Sequence, residues 1–337
     1  MRSKFTWLLI VVAAMISLLF IFKSQTKVEG KIAKADSPKN SISRADWIAP
    51  SIDTLQRDER GELIRYGRDL ISNTAKYLGP NGSVGKLSNG MNCQNCHLEA
   101  GARSFGNCFS AVASTYPKYR DRSGRIESIE FRVNECMERS LNGKKLDSLS
   151  KEMRAMVAYL KWIGQHVPKG VKPVGAGTEE LSFLNRPASI QNGNSIYIKT
   201  CQTCHGADGQ GKLNADSASY LYPPLWGPHS YNVSAGLFRL SRFAGYVKNS
   251  MPFGSSHEKP QLTDEEAWDV AAFVNSQPRP KKLFAYDWPK ISSKPVDYPF
   301  GPYVDSFSEE QHKYGPFDPI KSAKDKIAKS SSNAIKK

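Results

Sequence analysis

Acidic residues are what this chain has too few of. Its 337 residues carry 32 Asp and Glu against 47 Lys and Arg, a formal net charge of +15. Six of the lysines, with a single aspartate, lie in 321–337, the pattern of a solvated basic end. The rest of the excess suits an anionic substrate, an acidic redox partner or lipid headgroups. No nucleic-acid-binding motif accompanies the charge, which argues against nucleic acid as a partner. Cysteine is scarce as well, at six residues. A hydrophobic content of 39% and a charged content of 23% are ordinary for a globular protein. The length allows two or three domains with real cores.

Four of the six cysteines stand in two copies of one pattern, Cys93-Gln94-Asn95-Cys96-His97 and Cys201-Gln202-Thr203-Cys204-His205. Cys-x-x-Cys-His is the attachment signal for a c-type haem. Two thiols add across the porphyrin vinyls, and the next His reaches the iron. The spacing is strict because both thioethers must meet neighbouring pyrrole edges while the ring points at the centre. Two halves of one four-cysteine zinc site is the competing reading. It leaves both trailing histidines unexplained. The expected cofactors are therefore two covalently bound c-type haems. Cys108 and Cys136 remain, and a disulfide between them is chemically allowed in an oxidising compartment.

Arg2 and Lys4 precede an apolar run from Phe5 to Phe22, followed by Lys23 and Lys27. This is an export signal. No small-x-small cleavage site follows at once, Ala33-Lys34-Ala35 comes late, and the run is just long enough to span a bilayer. An uncleaved anchor is expected, with the haems on the extracytoplasmic, periplasmic side. Residues 1–27 are then export signal or membrane anchor, and 28–57 a polar tether.

From Glu59 to Leu78 the pattern is helical, with Leu63, Ile64, Tyr66, Gly67, Leu70 and Ile71 on one face, and Pro80-Asn81-Gly82 stops it. After the first motif, Ser150 can cap a helix bearing Met153, Met156, Val157, Leu160, Trp162 and Ile163. Helix, motif, long loop and closing helix define a cytochrome domain over 58–167. Residues 168–187 are rich in Gly and Pro and read as a linker. The plan repeats over 188–280, where Thr263 and Glu266 form a capping box before Ala267, Trp268, Val270, Ala271 and Val274. Residues 281–320 are rich in Pro and aromatics with no helical or strand period, and read as an extended strap. Residues 321–337 read as a disordered basic tail.

Function turns on the sixth iron ligand. In the second domain Met251 is the only Met after His205 and is followed by Pro252, which makes it the expected ligand, with His229 and His257 as alternatives. The thioether raises the potential, as suits an electron carrier. In the first domain the candidates are Met137, Met153, Met156, Cys108 and Cys136. Met153 and Met156 look like core. Between Met137 and Cys136 the residues alone do not choose. Methionine would mean a plain electron carrier. A Cys136 thiolate would lower the potential and place a nucleophilic sulfur at the iron.

The segment Arg132-Val133-Asn134-Glu135-Cys136-Met137-Glu138-Arg139-Ser140-Leu141-Asn142-Gly143 resembles the haem-ligand segment of thiosulfate dehydrogenases, the tetrathionate-forming dihaem cytochromes c. The resemblance continues through Tyr116-Pro117-Lys118-Tyr119-Arg120, Pro223-Pro224-Leu225-Trp226-Gly227-Pro228, Asn249-Ser250-Met251-Pro252, Ala267-Trp268-Asp269-Val270 and Tyr314-Gly315-Pro316-Phe317, in order over about 60–320. It implies that Cys136 is the axial ligand of the catalytic haem, and that Arg122, Arg132 and Ser140 line the anion pocket beside it. Guanidinium forks suit a small dianion such as thiosulfate. Some relatives place a Lys before the distal Met as an alternative ligand. Here that residue is Ser250, and Lys248 is off register.

The chain therefore reads as mainly α, two tandem c-type cytochrome domains with a C-terminal strap. It is expected to oxidise two thiosulfates to tetrathionate, or run the reverse, with metal ligands His97 and Cys136 on one haem and His205 and Met251 on the other. A partner cytochrome or another acceptor is expected to take the electrons. The alternatives are a non-catalytic dihaem carrier, marked by Met137 ligation, and a dihaem peroxidase, which needs an open iron position.

Overall fold

The structure, a computed structural model, describes residues 47–215 and 219–335. The apolar segment expected to act as an anchor, and most of the tether, lie outside the described residues. No described helix is long and apolar enough to cross a membrane.

The first domain is built on two crossing helices. Helix α1 (Glu59–Ser72) is capped by Asp58, whose carboxylate accepts from Gly61 N at 2.7 Å. Glu59 and Glu62 in its first turn favour the positive end of the helix dipole. A break at Asn73 separates it from the short helix Thr74–Leu78, so the single helix expected over 59–78 is two pieces. Thr74 is turned inward there to meet the first haem motif. Helix α2 (Ile129–Arg139) starts at Ser128, whose hydroxyl accepts from Phe131 N. Helix α3 (Lys151–Ile163) starts at Ser150, which caps Met153 N. It packs on α1 where Gly67 lies against the Ala155 carbonyl. A Cβ on Gly67 would come within 2.0 Å of that oxygen.

The second domain repeats the crossing. Helix α4 (Ile190–Thr200) meets α6 (Asp264–Ser276), and Gly193 lies on the Asp269 carbonyl, again 2.0 Å from where a Cβ would stand. Between them runs α5 (Leu240–Ser250). The capping box expected at Thr263 and Glu266 is formed. The only strands among the described residues are two antiparallel pairs. The first, β1 (Lys118–Arg120) with β2 (Arg125–Glu127), leads into α2.

Each domain has its own core. Ile64, Leu70, Met137, Met153, Met156 and Leu160 sit in the first, and Tyr197, Phe243, Trp268 and Val270 in the second. The division is not clean. Tyr231, Val233, Ala235 and Phe238, after the second motif, are buried in the first core. Residues 168–187 have no regular structure yet are tightly held. Gly175 O and Gly177 O accept from Phe105 N and Asn107 N, and Ser182 O accepts from Trp268 Nε1.

The strap is pinned at both domains. Asp287 binds Arg122 and Arg139, Asp297 binds Arg239 and Ser241, and Phe300 stacks on Phe238 with centroids 5.9 Å apart. It is not wholly extended, because Glu309–Tyr314 forms a helix, α7. The basic tail differs from the sequence reading. Residues 318–335 form helix α8 rather than a disordered end. Ile320, fully buried in the second core, and Lys324, donating to Lys294 O, hold its first turns.

Candidate functional site

The end of α1 shapes the first attachment loop. Thr74 Oγ1 accepts from Cys93 N at 3.0 Å, and Asn92 Oδ1 accepts from Ala75 N at 2.8 Å. Gln94 Nε2 donates to Ser72 O, and Asn95 Oδ1 accepts from Asn92 N. Thr74 Oγ1 in turn lies 3.2 Å from Cys93 Sγ, to which it donates. His97 Nδ1 lies 2.6 Å from Asn107 O. A carbonyl can only accept, so Nδ1 carries the proton and Nε2 keeps its lone pair for a metal. The loop that supplies Asn107 is forced into left-handed backbone at Glu99, Ala100, Phe105 and Asn107.

The second loop obeys the same logic. His205 Nδ1 donates to Pro223 O at 2.9 Å, and Tyr197 OH donates to Gly206 O. Burial pushes the Cys93 and Cys201 thiols up to about 11 and Cys96 to about 12. It pushes His97 down to about 4 and lowers His205. A neutral imidazole with its Nε2 lone pair free is what ligation of a haem iron requires. The residues fit the haem. They do not fit a shared four-cysteine zinc site, because Cys93 packs on the first core and Cys201 on the second. Among the described residues no group of three or more His, Cys, Asp or Glu is arranged for a metal ion.

The two domains part on the opposite side. In the first, Arg132, Cys136 and Ser140 recur every fourth residue along α2 and its cap, so they share one face. The Cys136 sulfur is within electrostatic reach of both Cys93 and Cys96. It is also the strongest influence on Arg132, whose guanidinium it holds above its ordinary value against burial. Tyr116 shares the same surroundings. Ser140 N donates to Cys136 O at 2.9 Å. Met137 points about 100° away on the helix and is 1% exposed in the first core. Met153 and Met156 are fully buried in α3. Cys108 and Cys136 form no disulfide, and Cys108 Sγ donates to Gly175 O instead.

Behind this face runs a buried chain of charges. Arg132 Nη1 donates to Glu135 Oε2 at 3.0 Å, and Arg139 Nη2 to Glu135 Oε1 at 2.9 Å. Arg139 then grips strap residue Asp287 through both terminal nitrogens, each at 2.7 Å. Arg122 Nε meets the same carboxylate at 3.0 Å, and its Nη2 donates to Ser234 O. Burial would raise Glu135, but Arg132, Arg139 and Arg122 outweigh it and hold its carboxyl below the usual range. Arg122 therefore spends Nε and Nη2 on the strap carboxylate and the Ser234 carbonyl. Glu135, Arg139 and Asp287 complete the network. Glu135 and Arg139 stand in the motif segment and Asp287 is remote from it, so only the first two had a signal in the sequence.

A cleft of about 510 Å³ lies on another side of α2. It is lined by Glu130, Glu135 and Glu138 together with Lys145. In the second domain Met251 follows α5 and packs against the same core as Cys201. Ser250 is buried, and Lys248 is ion-paired to Asp264. His257 stacks on Phe105 with centroids 3.7 Å apart, and His229 is exposed.

A SoxA/TsdA cytochrome c domain model matches residues 85–168, and a cytochrome c model matches 190–278. The chain is 39% identical over 241 residues to the thiosulfate dehydrogenase of Psychrobacter arcticus, covering 71% of each protein. It is 38% identical over 255 residues to that of Allochromatium vinosum, covering 74% of this chain and 89% of the relative. Among solved structures, the as-isolated thiosulfate dehydrogenase (TsdBA) of Marichromatium purpuratum superposes with a TM-score of 0.66 at 27% identity. That match covers 83% of this chain but 56% of the other, so this chain spans little more than half of the solved one. Two attachment loops in two cores, each with its imidazole tautomer set by a backbone carbonyl, agree with these relatives, and the chain belongs to the thiosulfate dehydrogenase family, as an oxidoreductase acting on sulfur compounds with two covalently bound c-type haems.

Proposed function

We propose that the chain oxidises two thiosulfate ions to one tetrathionate and two electrons at the Cys136 face of the first domain, and passes the electrons through the second domain to an external acceptor. The observation that carries this is the position of Cys136. It sits one helical turn after Arg132, on the face within reach of Cys93 and Cys96. His97 and Cys136 would hold the first haem iron, and His205 and Met251 the second; each iron supplies one electron's worth of redox capacity.

The protein's own part is to bind and orient a dianion. Arg132 provides charge-assisted donors, and Glu135 fixes their direction. Ser140, one turn beyond Cys136, offers a hydroxyl on the same side. Arg122 contributes Nη1, the nitrogen it does not spend on Asp287 and Ser234. By reversibility the same groups serve tetrathionate reduction. Covalent haem attachment takes place outside the cytoplasm, which supports an extracytoplasmic location, with 1–27 as the export signal or anchor.

The test is a low-temperature electron paramagnetic resonance spectrum with a thiosulfate-dependent reduction assay. A thiolate-ligated low-spin signal with compressed g-spread and thiosulfate-driven reduction are expected. Two His/Met signals without thiosulfate-driven reduction would instead make the protein a dihaem electron carrier.

A further inference from the structure

Arg279 follows α6 in Gln277-Pro278-Arg279-Pro280 and is 9% exposed. Its Nη2 donates to Val274 O at 2.6 Å. Its Nε and Nη1 are shut off from solvent and have no hydrogen-bond partner among the described residues. The guanidinium lies over the rings of Tyr231 and Phe238, 4.2 and 5.2 Å from their centroids. Among the described residues no Asp or Glu pairs with it. Its charged neighbour is a second cation, Lys313, which burial and Arg279 together hold below its ordinary value. Other buried arginines have their counter-charges. Arg139 has Glu135 and Asp287, and Arg122 has Asp287. A buried guanidinium with two idle donors and a cation beside it is strongly unfavourable unless an anion meets it.

The holoprotein carries carboxylates that the polypeptide does not. Each haem brings two propionates. We propose that Arg279 is the binding site of a propionate of the second haem, the one attached through Cys201 and Cys204. Tyr231, over which Arg279 lies, is within electrostatic reach of Cys96 as well. The vinyl groups used by Cys93 and Cys96 lie on the part of a porphyrin away from its propionates. A haem attached at Cys96 would therefore present a thioether edge, not its propionates, toward Tyr231. The residue that holds Arg279 in place, Val274, belongs to the closing helix of the second domain. Arg279 thus joins the closing helix of the second domain to the Tyr231 and Phe238 rings of the first core. By offsetting propionate charge it would raise the potential of the second haem, the one that must receive electrons.

The experiment is a redox titration of the purified holoprotein with the two haems resolved spectroscopically. Arg279→Gln lowers the second haem's potential, because the uncompensated carboxylate favours the more positive oxidised iron. That potential also becomes pH-dependent across the range in which a free propionate ionises. Arg279→Lys stays near the wild type, and the first haem is unmoved by either change. An unchanged second potential in Arg279→Gln overturns the proposal, as does a drop confined to the first haem. So does an unchanged potential with weakened thiosulfate affinity, which would make Arg279 an oxyanion site. If Arg279→Gln does not accumulate with two haems, wild-type protein carrying 13C at the haem propionates decides the matter. Its redox-difference infrared spectrum is expected to retain an ionised propionate well below the ordinary carboxylate range. Protonation of every propionate within that range overturns the assignment.

Discussion

The two cytochrome domains agree on the side that attaches the haem and disagree on the other. Both cross their first and last helices over a glycine pressed on a carbonyl, Gly67 on Ala155 and Gly193 on Asp269. Both fix the ligand histidine through Nδ1 to a backbone oxygen, Asn107 O or Pro223 O. On the far side, α2 of the first domain carries Cys136 among buried arginines and carboxylates. The second offers Met251 beside buried Ser250, with its nearby lysine tied up by Asp264. Attachment is a geometric requirement with one solution, so it repeats. The chemistry at the iron depends on charge and ligand type, so it diverges there.

The comparison breaks most completely at Cys136. Cys136→Met should keep two haems and a low-spin iron while abolishing thiosulfate oxidation, because sulfur remains but the thiolate is lost. Haem content and steady-state turnover check this. Cys108→Ser should stay active, since its thiol only meets Ser110 and Gly175. Full activity in Cys136→Met would make the first domain a second copy of the carrier.

Asp287→Asn attacks the charge network that the second domain lacks. It leaves Arg139 and Arg122 buried without their shared counter-charge. Breaking such a buried pair costs about 3–5 kcal/mol. Denaturant unfolding of the holoprotein should show a loss of that size, with the midpoint shifted and both haems attached. A loss within the noise would mean that solvent reaches these arginines.

Arg132→Ala should weaken substrate binding with less effect on turnover at saturation. Removing a hydrogen bond to a charged group costs about 1.5–3 kcal/mol, so KM for thiosulfate should rise about ten- to a hundredfold. An equal fall in kcat at unchanged KM would assign Arg132 to Cys136 alone. Met251→Ala, the counterpart in the second domain, should lower that haem's potential and slow electron delivery while thiosulfate affinity holds. An unmoved redox titration would place the ligand elsewhere.

The smallest effect is on pH. Guanidiniums hold Glu135 below its ordinary value despite burial, and Arg239 with Ser241 does the same for Asp297. A depressed carboxylate contributes stability above its unfolded pKa, and loses it as pH falls through the lower folded pKa. Stability should therefore decline on the acid side, from about pH 4 downward. Glu135→Gln should flatten that decline in the first domain and Asp297→Asn in the second, each read by thermal melting across acid pH.

Local chemistry was legible in the chain. Cys-x-x-Cys-His names its cofactor because covalent spacing is strict. Ser150, Thr263 and Glu266 announce helix starts because caps act within four residues. Arg132, Cys136 and Ser140 can be placed on one face by counting turns. Met251 was singled out because no other Met follows His205. The tail was misread because six lysines look like a solvated end, while the buried Ile320 that anchors its helix is a single residue.

What only the tertiary structure decided are the long-range charges. Asp287 meets Arg139 and Arg122 from a strap far along the chain, and so holds two buried guanidiniums with one carboxylate. Tyr231 and Phe238, coded in the second half, are buried in the first core and bring Arg279 between the domains. No periodicity encodes such pairings. Their strength comes from exclusion of water, and burial is a property of the packed molecule, not of any segment of it.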